Sequence, residues 1–208
     1  MAYTTSEDTV TLESMVGPMM LDCPIPIVTQ ALLWATIEFC ERTQIYANTQ
    51  TRTIAAGTQN IALTPSDDAM ITDLKEVLWD GDPIQPITRQ DASEITKLNP
   101  TGLPLGFYRP NPETLALAPA AEKAGVIKVT MILAPLRNAT SIPAFLRDQH
   151  LEVLEAGAKY RLTRMSNRPW FDPQWTDFRA QFESLIGTYS IRADKDGTRR
   201  PLRTAPIF

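Results

Sequence analysis

The sequence predicts an α+β protein: a bundle of three to four helices, a β-rich insert between the first and last helices, and an extended C-terminal tail. Two observations lead there. The 17 prolines of the 208-residue chain leave three windows untouched, 27–64, 144–168 and 174–200. Proline inside a helix breaks it, so the long helices belong in those windows. Between the first two windows prolines recur among alternating, β-branched stretches, the pattern of strands and turns.

Taken in order, "TVTLESMV" predicts a short helix at about 9–16, ended by Gly17-Pro18. Pro24 and Pro26 are placed to open a helix over about 26–45. On a wheel of about 100° per residue, Ile27, Ala31, Trp34 and Ala35 share one face, and Leu33, Ile37 and Cys40 fall nearly opposite. A helix that is apolar all round must be buried on all sides. The residues themselves leave open what covers the second face.

The insert, at about 48–137, reads as strands. "TRTIAAG" and "TQNIALT" flank a glycine turn, and "LKEVLWDGDPIQPIT" is a strand, an Asp-Gly turn and a strand. "FYRPNPETLALAP" is strand, Asn-Pro turn, strand, while "GVIKVTMILAP" alternates as one more. Residues 88–104 read as an irregular loop. A second long helix is predicted to about 166, with Ser141 as cap, Pro143 near its first turn and Gly157 permitting a close approach. "SNRPWFDP" is a turn, and a third helix follows over about 173–189 on an aromatic stripe, Trp175, Phe178, Phe182 and Tyr189. The organisation expected is an N-terminal segment with the first helix (1–47), the insert (48–137), two helices completing the bundle (138–190) and an arm (191–208).

A chain of this length is one large domain or two small ones and buries roughly 70% of its unfolded surface. The net charge of −4 argues against a dedicated nucleic-acid binder, whose footprint is basic. Charge is uneven: residues 1–22 carry a net of −4 and residues 191–208 a net of +3. These are either two solvated termini or ends that meet surfaces of opposite sign. The opening is polar and acidic rather than a signal peptide, and Glu38, Glu41 and Arg42 interrupt the best candidate for a membrane span. A soluble protein made in a reducing cytosol, without a disulfide between Cys23 and Cys40, is expected.

The residues that could carry chemistry are few. His150 is the lone histidine and reads as a helix-surface residue. Asp67-Asp68 suit a turn or cap, and Asp80-Gly81-Asp82 lacks the ligand series of a calcium loop. No phosphate-cradling, nucleophile-elbow or zinc motif occurs, and Cys40 lies mid-helix without a local base. The tail "DKDGTRRPLRTAPIF" is basic yet ends in Ile207-Phe208, which suits either a frayed end or an arm that orders on a partner, along a sheet edge for instance.

Three stretches together resemble the head-to-tail adaptor (connector, or neck) proteins of tailed bacteriophages. They are "LESMVGPMMLDCPIPIVTQALLWATIEFCERTQIY", "TGLPLGFYRPNPETLALAPAAEKAGVIKVTMILAP" and "IPAFLRDQHLEVLEAGAKYRLTRMSNRPWFDPQWTDFRAQFESLI". The resemblance covers most of residues 12–187 and rests on their order and spacing. It implies a structural virion protein of the neck, assembled in the host cytoplasm, with no catalytic site, cofactor or metal. Such proteins form a ring, usually dodecameric, beneath the portal; they extend the DNA channel and carry the tail or its completion protein. Double-stranded DNA would pass the lumen without sequence-specific contacts. In such a ring one side of the first helix would pack on the two later helices and the other on an adjacent subunit, which makes Leu33, Ile37 and Cys40, or the opposite face, the expected subunit interface. Because C-terminal segments of such adaptors commonly engage the portal, Arg199, Arg200 and Arg203 are expected to steer docking, with Ile207 and Phe208 as anchors. The competing readings are a small cytosolic enzyme using Arg89, Asp91 and Glu94 in the 88–104 loop, and a monomeric binding module.

Overall fold

A computed structural model of the chain describes residues 9–15, 23–66 and 68–197. Its elements are mixed α and β, and they gather into two compact units. Of the described residues, one holds 12–15, 23–45 and 145–197, and the other holds 9–11, 46–66 and 68–144.

In the first unit, α1 spans Ile25–Thr43. Pro24 precedes it and Pro26 sits in its first turn, where a missing N–H costs nothing. The helix stops at Gln44, which turns left-handed (φ 53°) and donates its N–H to the Cys40 carbonyl. Residues 9–16 are not the predicted helix. Thr9–Thr11 form a strand, β1, and Leu12–Met15 a single 3-10 turn with Leu12 and Met15 buried. Thr9 and Thr11 flank Val10 in period-two alternation, and that local pattern wins over helix propensity once a partner strand is present.

The next helix is α3, Ala144–Thr163 (α2 belongs to the second unit), and the last is α4, Trp175–Gly197. Gly157 is the point of closest approach between the helices. A Cβ there would lie 2.7 Å from the Phe182 ring of α4 and 2.8 Å from the Ala35 methyl of α1. His150 is a correction to the surface reading: it is only 5% exposed. Its backbone departs from helix (φ −133°) and kinks α3. Its ring packs edge-on to Tyr189 at 4.7 Å and tilted on Phe39 at 5.2 Å. The helical stretch of α4 also runs past the predicted end at 189, so residues 191–197 are helix rather than extended arm.

The second unit is built on two four-stranded sheets. The first has the order β2 (Ala47–Ile54), β11 (Gly125–Pro135), β4 (Ala69–Trp79), β5 (Asp82–Pro83). The second has the order β3 (Asn60–Ala62), β9 (Thr114–Ala118), β8 (Gly106–Asn111), β6 (Gln85–Pro86). β11 is central to its sheet and antiparallel to both neighbours, with Ile127 opposite Arg52 and Trp79. Its alternation buries Ile127, Val129 and Met131 while Val126 and Lys128 face out. Asp80-Gly81 makes the expected tight turn, both residues at positive φ (48° and 97°), which matches the twist of the strands it joins. The strand expected after that turn is split: β5 pairs with β4 and β6 with β8, so one short segment serves both sheets.

The irregular loop expected at 88–104 is instead largely a helix, α2, Arg89–Leu98. Thr88 caps it: its hydroxyl accepts from the Asp91 N–H (3.2 Å), and Asp91 reaches back to the Thr88 N–H (3.4 Å). This is a capping box with Asp in place of the usual Glu. α2 packs its Ala92 on β8 and β9, and β7 (Thr101–Gly102) pairs with β10 (Ala120–Ala121) just beyond it. Ser141 is likewise not a helix cap, because β12, Ser141–Pro143, pairs with β1.

Candidate functional site

The first candidate surface is the apolar helix α1. Leu33 is 3% exposed, Ile37 5% and Cys40 0%, all within the single chain. The opposite face is covered as well, since Ala31 and Ala35 are buried. What stays open is a narrow strip with Gln30, Trp34 and Glu41. Leu33, Ile37 and Cys40 therefore have almost no surface left to offer a neighbour, and an interface placed on them needs the helix to move. Burial also pushes the Cys40 thiol far above its ordinary range, so it is no nucleophile at neutral pH.

Four charged residues hold the helices of this unit to one another. Arg42 on α1 donates to Glu38 one turn back (3.2 Å) and to Glu183 on α4 (2.6 Å). Arg161 on α3 donates to the same Glu38 and to the Trp34 carbonyl (3.3 Å). Glu38 thus ties three helices through two arginines. The Arg42 hydrogen bond holds the Glu183 carboxyl below the usual carboxylate range. A carboxylate depressed by folding stabilises the native state above its unfolded pKa, about 4.3, and loses that contribution as pH falls through its folded value. With 41% of the Glu183 side chain exposed, solvent screening keeps the contribution under about 1 kcal/mol. Arg42→Ala is therefore expected to cost stability at pH 6 and progressively less as the pH falls below the ordinary glutamate range, measured by urea unfolding across that range.

The residues of the enzyme reading do not converge. Asp91 spends its carboxylate on the Thr88 cap, and Glu94 is exposed on α2. Arg89 lines a shallow cleft of about 330 Å³ with Gln59, Ser93, Thr96, Lys97 and Tyr108, which contains no carboxylate. Among the described residues no group of three or more His, Cys, Asp or Glu is placed to hold a metal ion. No helix there is long and apolar enough to cross a membrane.

A larger groove, about 540 Å³, runs between β4 and the β6–β8 edge. β5 pairs only with Leu78 and Trp79, so most of β4 shows a strand edge to this groove. The edge is closed to strand addition by its own side chains. Arg109 reaches the Ile71 and Thr72 carbonyls at 3.4 Å each, and Asp73 accepts from the Leu74 N–H at 2.8 Å. Pro83 and Pro86 line the far side and cannot donate.

Exposed apolar side chains gather in two places instead. Leu98, Leu103 and Leu105, 81%, 68% and 63% exposed, stand on the connection from α2 to β8. That connection is held by the β7–β10 pairing and by the Leu105 N–H on the Ala118 carbonyl (3.0 Å). In the helical unit, Met165 and Phe171 are exposed in the turn between α3 and α4, beside Arg164 and Arg168. Sequence reading saw this stretch only as a turn, although the dense mix of arginine and aromatic side chains is the composition of protein interfaces. The portal-arm residues Arg199, Arg200, Arg203, Ile207 and Phe208 lie outside the described residues.

The chain is mixed α and β, and among its described residues the exposed apolar side chains named above are the features most suited to meeting another protein. The family comparison agrees. The SU10 adaptor protein family model matches residues 8–205, nearly the whole chain, and the chain belongs to that family. It is a structural adaptor protein of bacteriophage, as the sequence resemblance implied. No curated protein sequence matches it.

Proposed function

We propose that the chain is a head-to-tail adaptor subunit that assembles as a ring, twelve copies by the family resemblance, beneath the portal of the virion. The ring extends the DNA channel and carries the tail or its completion protein. The helical unit acts as the bundle of the subunit and the β-rich unit as an insert in it. The observation that carries this reading is the extent of the family match, which runs through both units and past Gly197 into the basic C-terminal segment. The exposed Leu98, Leu103 and Leu105 support it, because apolar side chains gathered on one held connection suit a surface that another protein covers.

Docking to the portal falls to residues 198–208. Arg199, Arg200 and Arg203 steer the approach, and Ile207 and Phe208 anchor it. The lumen makes no sequence-specific contact with DNA, and the net charge of −4 keeps the ring from gripping the passing duplex. Subunit contacts draw on exposed side chains rather than on Leu33, Ile37 and Cys40. The chain without 198–208 is expected to remain folded and helical but to lose sedimentation with portal-bearing capsids. Retained co-sedimentation of the truncated protein would overturn the docking assignment.

A further inference from the structure

We infer that the turn between α3 and α4 is one half of a head-to-tail contact between copies of this chain, and that the acidic outer face of α3 is the other half. The inference rests on the ring reading and assigns its residues.

Three arginines of the helical unit have carboxylate partners: Arg42, Arg147 and Arg161. Arg164 and Arg168 form no ion pair with any described residue, and both are exposed. They are held by aromatic rings instead. Arg164 donates to the Tyr160 hydroxyl (2.8 Å) with its guanidinium carbon 5.2 Å from the ring centre. Arg168 lies 5.8 Å over the Trp170 ring. Stacking fixes the direction of each cation without neutralising it. Met165 and Phe171, 37% and 43% exposed, flank them. Two pre-oriented cations between apolar side chains form a surface suited to an anionic, partly apolar partner.

The same unit supplies such a partner. Beyond the kink at His150, Leu151, Glu152 and Glu155 share one outer face of α3, at i, i+1 and i+4, and Asp148 is exposed just before the kink. Leu151 is 37% exposed, and Glu152 forms no ion pair with any described residue. Asp148 and Glu155 meet only surface cations, Arg147 and Lys159, and pairs of that kind exchange partners at little cost. Arg164 lies about 18 Å further along α3 than Glu152 and more than 100° round it, at 1.5 Å and 100° per residue. The two patches are thus separate, opposite in charge, and each has its own apolar centre. That is what a heterologous contact requires: two different surfaces, each answered by the other on the next copy.

The test is a charge swap read by the mass of the assembled species, for the chain alone and on portal-bearing capsids. Arg164→Glu/Arg168→Glu is expected to weaken subunit association tenfold or more, about 1.4 kcal/mol, and Glu152→Arg/Glu155→Arg likewise. All four changes in one chain should restore association, while far-UV circular dichroism stays unchanged throughout. Rings that form equally well from either double variant would overturn this contact and leave the ring reading standing. A wild-type chain that stays monomeric both alone and on capsids would overturn both. Intact rings of Arg164→Glu/Arg168→Glu that lose only retention of DNA would overturn the contact and assign the turn to phosphate.

Discussion

Gly157→Val should cost the protein at least about 3 kcal/mol, enough to leave the helical unit largely unfolded at modest urea concentrations. Even a bare Cβ at 157 would sit 2.7 Å from Phe182 and 2.8 Å from Ala35, both rigid parts of neighbouring helices. Ala35 is backbone-bound and cannot rotate away, and Phe182 is 0% exposed. Valine adds two methyls to that clash and restricts its own rotamer in a helix. Gly157→Ala is the graded control. It gains about 1 kcal/mol of helix propensity, set against the displacement of the Phe182 ring, so it should fall well short of the valine effect. Urea unfolding followed by circular dichroism gives both numbers. A valine variant with the wild-type midpoint would show that the three helices do not close at this residue.

Phe39→Ala should cost about 3–5 kcal/mol, the range for emptying a buried aromatic site. Phe39 is wholly buried on α1. Its ring meets His150 at 5.2 Å and, edge-on, Tyr189 at 5.6 Å, so it packs against α3 and α4 together. The site cannot collapse easily, because the kink at His150 already places that ring against both neighbours. Phe39→Leu retains much of the volume and should lose less than half as much. The same urea titrations decide it, and a loss under about 1 kcal/mol for alanine would mean that the cluster repacks freely.

Both effects concern a subunit that has to be rigid before it can be useful. An adaptor works by presenting fixed surfaces, and here the internal arginines and glutamates are consumed in fixing them. Arg42, Arg161, Glu38 and Glu183 link α1, α3 and α4. Arg164, Arg168 and Arg179 form no ion pair with a described residue, and the first two stand out because aromatic rings hold them in the turn.

Much of the molecule was legible beforehand. Proline placement located the three long helices, Asp80-Gly81 its turn, and the alternation of "GVIKVTMILAP" the central strand β11. Those signals are local, and local chemistry decides them. The failures are equally physical. α2 was read as loop because only its single buried residue, Ala92, marks an inner face, and a Thr-Asp capping box is a weaker signature than Ser/Thr with Glu. Residues 9–15 became strand and 3-10 turn because β12 lies alongside, a pairing of segments some 130 residues apart. The burial of His150 has no local sequence signal, because the kink that turns it inward leaves no trace in composition.

The sequence by itself determined that α1 needs cover on two opposite faces, since it carries apolar residues on both; only the strip with Gln30, Trp34 and Glu41 stays open. Where the cover comes from was decided by tertiary structure alone. Leu33, Ile37 and Cys40 are enclosed within the chain, while α3 and α4 close on Ala35 and Phe39 through Gly157, Phe182, His150 and Tyr189. Those partners stand more than a hundred positions away, so no window of sequence contains both halves of the contact. The surface that remains for a neighbour was set by what that packing left unpaired.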